Sequence, residues 1–205
     1  MTSRKLPLIF LLIMVNTVVL SSCSVFGPVQ SENVHSYVVN TVPHFPAHRN
    51  YQHGSILVSA TETNPIYNTT AFAYTLQPYQ IAYFGKHQWA ETPTKMLQTD
   101  IVQTLQNTHY YHAVVTSAFV GGVDYILNTQ LVEFKQDFTR CPSVFSIVLR
   151  AQLVNGYNGR IIAAKQFTVK MPAPRDTAYG GVLAANWGTE VILRELAEFC
   201  MRHGR

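Results

Sequence analysis

Charge is scarce in this 205-residue chain: Asp, Glu, Lys and Arg make up 13% of it, against roughly 25% in ordinary soluble domains. No Lys/Arg cluster occurs, which excludes a strong electrostatic case for nucleic acid. Cysteine is rarer still. Cys23, Cys141 and Cys200 are the three, with no CxxC among them, so a zinc knuckle is excluded. GxSxG, HExxH and the phosphate-cradling P-loop are all absent. Gly121-Gly122 and Gly180-Gly181 read as turns. The carboxylates Asp124, Glu133, Asp137, Asp176, Glu190, Glu195 and Glu198 are scattered where surface is expected. Eight histidines are present, but His109 and His112 at a strand entrance point to opposite faces. His44 and His48 have helical spacing with Pro46 between them, which breaks a helix. No catalytic residue, metal or cofactor is expected.

What is present begins at the amino terminus. Arg4 and Lys5 precede an apolar stretch from Leu6 to Leu20, interrupted by Pro7, Asn16 and Thr17. Fifteen residues fall short of the roughly 20 that a helical bilayer span needs, and the arrangement reads as a secretory signal. Leu20-Ser21-Ser22-Cys23 then matches the bacterial lipobox. That resemblance implies cleavage before Cys23 and acylation of its thiol. Two or three acyl chains hold a protein on a membrane that one holds only marginally. Residues 1–22 are therefore expected to be removed, and residues 23–34 to form a lipidated tether. Removing Arg4 and Lys5 leaves thirteen basic against eleven acidic residues, a net charge of +2. The remaining 183 residues suit one domain, 35–205, with a substantial core.

Export would place Cys141 and Cys200 where a disulfide can persist, so they form a possible pair, with two separate buried thiols as the alternative. Eleven Tyr and eleven Phe on a weakly charged chain suggest a surface partly covered by partner protein, other copies of the chain, or lipid.

Periodicity supplies the fold class. His35 to Val42 reads as a first strand and His44 to His53 as loop. Ser55 to Thr61, Phe72 to Leu76 and Gln80 to Phe84 read as strands, the last two joined at Gln77-Pro78-Tyr79. Thr92 can cap a helix with Pro93 in its first turn, and Leu97, Ile101, Thr104, Leu105 and Thr108 share one face. Strands return at Tyr110 to Thr116, Tyr125 to Lys135, Val144 to Val154 and Ile161 to Met171. Asn155 to Gly159 closes the last two into a hairpin. A final helix from about Val182 to Met201 carries Val182, Ala185, Thr189, Ile192, Leu196 and Phe199 as a stripe, with Gly188 inside it at a cost of about 1 kcal/mol. These elements predict an α+β fold, an antiparallel or mixed sheet packed by two main helices.

Several segments in order carry a family resemblance. Gln80-Ile81-Ala82-Tyr83-Phe84 is followed by His87-Gln88-Trp89-Ala90-Glu91-Thr92-Pro93, then by Val123-Asp124-Tyr125-Ile126-Leu127 and Gly159-Arg160-Ile161-Ile162-Ala163. They resemble the ABC-type transport auxiliary lipoproteins, the PqiC-like family. Members often place a basic residue soon after the tyrosine, whereas here Phe84-Gly85 precedes Lys86. The resemblance implies a non-enzymatic lipoprotein on the periplasmic face of the outer membrane. It would work with an MCE-domain protein of an ABC system that moves phospholipid-like molecules between membranes. It also points to the segment holding Tyr83, His87 and Trp89 as the docking region. Tyr83 and Trp89 can equally be core aromatics at a strand–helix junction, and Trp89 is the one expected in the core. A reading from another class is a structural envelope lipoprotein, such as a peptidoglycan-synthase activator or a secretion-system subunit.

Overall fold

The computed structural model describes residues 33–46, 53–116 and 122–204. The expected signal segment, Cys23 and the tether as far as residue 32 lie outside the described residues, as do His48 and Gly121. From Val34 onward the chain is one compact unit. Its described elements are β1 (His35–Tyr37), β2 (His53–Val58), β3 (Glu62–Thr63), β4 (Ala71–Thr75), β5 (Ala82–Trp89), α1 (Pro93–Asn107), β6 (Tyr111–Val115), β7 (Tyr125–Asp137), β8 (Val144–Asn155), β9 (Ile161–Pro172) and α2 (Ala178–His203).

All the described strands join one mixed sheet whose spine is β7. On one side β7, β8 and β9 run antiparallel over nearly their full lengths. On the other side three short strands share β7 end to end, all parallel to it. β2 takes Tyr125 to Leu127, β3 takes Gln130 and Leu131, and β4 takes Gln136 and Asp137. β6 extends the sheet beyond β2, while β5 and then β1 extend it beyond β4. The expected α+β class holds, with a sheet that is mixed.

Period-2 alternation on β7, β8 and β9 sends Leu127, Leu131, Phe134, Phe145, Ile147, Leu149, Leu153 and Phe167 to one face, where all are buried. Both helices cover that face. α2 packs on β8 and β9, and α1 on β2 and β6. The opposite face is polar, with exposed Asn128, Gln130, Arg150, Gln152, Gln166 and Thr168. Arg150 donates there to Gln166 at 3.0 Å.

α1 begins as expected, with extended Thr92 before Pro93, although the Thr92 side chain makes no cap hydrogen bond. Its stripe Leu97, Ile101, Thr104, Leu105 and Thr108 is buried. α2 carries the expected stripe too, but starts four residues earlier. Thr177 accepts the Gly180 N–H at 3.0 Å, and Gly180 and Gly181 form the first helical turn instead of a separate turn. A Cβ on Gly180 would collide with the Arg175 carbonyl, and one on Gly181 with the Gln136 side chain. These glycines permit close approach, a use that looks like turn chemistry in sequence.

β1 stops at Tyr37, five residues before the expected end, because the chain leaves the sheet to cross the helices. The Val39 N–H meets Met96 Sδ at 3.4 Å and the Asn40 N–H meets Asn186 Oδ1 at 3.1 Å. Asn186 also donates to the Val38 carbonyl, and Arg194 to that of His44. Residues 38–45 thus form a strap held by both helices.

The expected cysteine pair does not form. Cys141 lies exposed beside Asp176, just before α2, while Cys200 is buried near that helix's carboxyl end. At about 1.5 Å per residue, the start of α2 and Cys200 are some 33 Å apart, far beyond the roughly 7 Å that a disulfide bridges. Burial also pushes the Cys200 thiol up to about 12. Ellman titration of the folded protein should therefore find Cys141 reactive and Cys200 silent until denaturant is added. Equal rates for the two would contradict this placement.

Candidate docking surface

Strand β5 carries all three residues of the expected docking segment, and a bulge divides them. Ala73 pairs with Tyr83 and Ala71 with Gln88, so β5 spends three more residues than β4 on the same interval. Without the bulge, Tyr83, His87 and Trp89 would share a face; the extra residues shift the phase. Tyr83 stands on the helix-free face, exposed, its hydroxyl donating to the Ile66 carbonyl at 3.1 Å. His87 and Trp89 fall on the helix side.

Trp89 is core, as expected. It is 1% exposed, with ring centroids 4.5 Å from Phe72, 5.4 Å from Phe134 and 6.2 Å from Phe145. His87 sits at the rim. It stacks on His35 at 5.4 Å and on Tyr37 at 5.8 Å, and the Tyr37 hydroxyl is 3.0 Å from its Nδ1. Partial burial first, and neighbouring His35 second, hold His87 below the ordinary imidazole range. Tyr37 in turn meets exposed Tyr179 of α2 at 6.1 Å. Phe84, Tyr74 and Phe138 extend the aromatic array along the same end.

The turn between β4 and β5 lies beyond that array. The Gln80 N–H returns to the Gln77 carbonyl at 3.3 Å, with Pro78 and Tyr79 between. Tyr79 has φ 66°, the left-handed conformation usually given to glycine at this place in a turn, and its side chain is wholly exposed. Sequence reading located the turn but missed Tyr79. The signal was available: an aromatic follows Pro78 where a glycine would cost least.

The Asp124 segment proves to be a structural clamp. One Asp124 oxygen accepts the Ser55 N–H at 2.6 Å and its hydroxyl at 2.9 Å, and the other accepts the Tyr157 hydroxyl at 2.9 Å. These donors hold the carboxyl below its usual range, Ser55 contributing most. Asp124→Ala should therefore cost stability, about 1–3 kcal/mol in urea unfolding, with the transition still cooperative. A loss below about 0.5 kcal/mol would mean that the clamp is idle.

A groove of about 480 Å³ lies between the strap and α1, lined by Val38, Val39, Met96 and Asp100 among others. Asp100 is 4% exposed, and its Oδ2 has no hydrogen-bond partner. Burial pushes the Asp100 carboxyl up to about 7, against the opposing pull of the Thr41 N–H. Among the described residues, no group of three His, Cys, Asp or Glu side chains is placed to hold a metal ion. No helix there is long and apolar enough to cross a membrane.

Comparison with known proteins agrees with this architecture. A family model described as ABC-type transport auxiliary lipoprotein component matches residues 39–197. A solved protein from Xanthomonas campestris is 20% identical, over 82% of this chain and 95% of its own, with a TM-score of 0.75. A second, described only as an uncharacterized protein, is 15% identical over 82% and 99%, with a TM-score of 0.64. A hypothetical protein from Chlamydia trachomatis shares 9% identity over 74% and 98%, at 0.50. At such identities these structures establish a shared fold alone. No curated protein matches the chain.

Proposed function

The chain belongs to the ABC-type transport auxiliary lipoprotein family, and from that premise we propose that it is an outer-membrane lipoprotein docking to an MCE-domain protein. The family match over residues 39–197 carries the reading. Cys23 holds the acyl chains, and the domain reaches into the periplasm as a docking body for a conduit that moves phospholipid-like molecules. Ser24 follows the lipidated cysteine; by the lipobox resemblance an aspartate there would favour the inner membrane, so sorting is to the outer one. Catalysis has no part in this role, and covalent lipid is the one prosthetic group it needs.

Two measurements test it. Acyl labelling should be lost in Cys23→Ala, and the wild-type protein should fractionate with outer membrane. Pulldown of the full lipoprotein from solubilised envelopes should recover an MCE-domain partner. Inner-membrane fractionation would refute the sorting. A protein that recovers no MCE partner yet turns over an envelope substrate would overturn the assignment.

A further inference from the structure

Strand directions place several exposed features at one end of the domain. β1 runs parallel to β5, with His35 opposite His87, so the amino-terminal end of β1 stands toward the beginning of β5. The β4–β5 turn projects from that same end, about 16 Å past His35 at ~3.3 Å per strand residue. β4 is tied there to the β7–β8 turn, the Phe138 N–H donating to the Thr75 carbonyl at 2.9 Å. The start of α2 is at this end too, where the Thr177 carbonyl accepts from Gln136 at 3.1 Å.

The chemistry of this end is uniform. Leu76 is 58% exposed and Tyr79 wholly so, on a turn whose left-handed tyrosine has no ring contact among the described residues. Tyr179, against Tyr37, and Val34, before His35, are exposed further back from the turn. Exposed Arg140, Lys170 and Arg175 belong to the segments that meet at this end. The carboxylates here, Asp137 and Asp176, accept from Thr139 and from the Ser143 N–H and stay ionised, so these three cations outnumber them by one. Exposed aliphatic and tyrosine side chains beside a small excess of cations match the interface of an anionic bilayer, where tyrosine settles at headgroup depth and each cation near the surface is attracted.

We propose that this end lies on the surface of the membrane that holds the anchor, with Leu76 and Tyr79 seated among anionic phospholipid headgroups. The proposal rests on the reading of Cys23 as the lipidated residue. The ten residues from Ser24 to Asn33 span up to about 35 Å when extended. That reach exceeds the ~16 Å by which the turn projects past the start of β1. Contact of this kind would fix the orientation of the domain on that surface.

The test uses the full acylated lipoprotein in vesicles of phosphatidylethanolamine and phosphatidylglycerol. An NBD probe is attached at Tyr79→Cys, or independently at Leu76→Cys, in a Cys141→Ser background; Asn158→Cys in the β8–β9 hairpin serves as the far-end control. At 76 and 79 the fluorescence should shift to the blue, rise severalfold, and be quenched by brominated lipid, while 158 stays as in water. Probes at 76 and 79 that match 158 would overturn the proposal. Shielding that arises only when a partner protein is added would overturn it as well, by making the turn a protein-docking element. Intact mass reads the acyl chains separately: a chain lacking them refutes the anchor reading. An acylated chain with water-exposed probes refutes the surface contact alone.

Discussion

Trp89→Ala should lower the unfolding free energy by about 3–5 kcal/mol, the usual cost of deleting a large buried aromatic. Domains of this size have about 5–15 kcal/mol in total, so the variant should be marginal or unfolded at physiological temperature. The indole is almost completely enclosed and touches Phe72 from β4, Phe134 from β7 and Phe145 from β8. Three strands lose a common partner at once, and the rigid sheet has little freedom to collapse into the space. Tyr83→Ala, on the exposed face of the same strand, should change stability by no more than about 0.5 kcal/mol. Urea unfolding followed by far-ultraviolet circular dichroism compares the two. A Trp89→Ala protein as stable as wild type would remove the indole from the core, and the face assignment of β5 with it.

That contrast marks where the sequence was legible. The buried stripes of both helices and the alternation on β8 could be read directly, because a helix or strand face repeats within one element. The division of Tyr83 from His87 and Trp89 could not. Phe84, Gly85, Lys86 and His87 look like ordinary strand residues, and the bulge exists only by comparison with β4, whose Phe72 faces them across the ladder. The strap was unreadable for a similar reason. Val38 to Val42 leave the expected strand because Met96 and Asn186 bind the backbone there, and Asn186 lies nearly 150 residues away. The cysteines were misjudged by counting: compartment and parity say nothing about opposite ends of a helix. The Asp124 motif was found as a resemblance, and geometry supplied its cause in Ser55 and Tyr157.

Asp100→Asn should remove a pH dependence from the domain's stability between about pH 4 and 7. Asp100 faces the strap from α1, where its carboxyl meets the Thr41 N–H while Oδ2 has no partner. Burial raises its folded value from 3.8 to about 7. The folded state therefore holds this proton more tightly than the unfolded chain does. Below pH 4 both states are protonated and the group's contribution to stability is fully present. As pH rises the unfolded chain ionises first, so the contribution falls, and it is gone once the folded carboxyl also ionises above about 7. A difference of this size corresponds to at most about 4 kcal/mol across the window. Glu91 and Lys95 line the same groove but are exposed and paired with each other at 3.3 Å, so neither neutralises Asp100. Asparagine keeps an oxygen for the Thr41 N–H and does not titrate; its amide group replaces Oδ2 at a cost that is constant with pH. The readout is therefore the slope: wild type minus variant, from urea unfolding at half-unit intervals from pH 4 to 8, should fall by a few kcal/mol and level off above 7. A flat difference would show that Asp100 ionises normally in the fold, with water or a movement of the strap reaching its second oxygen.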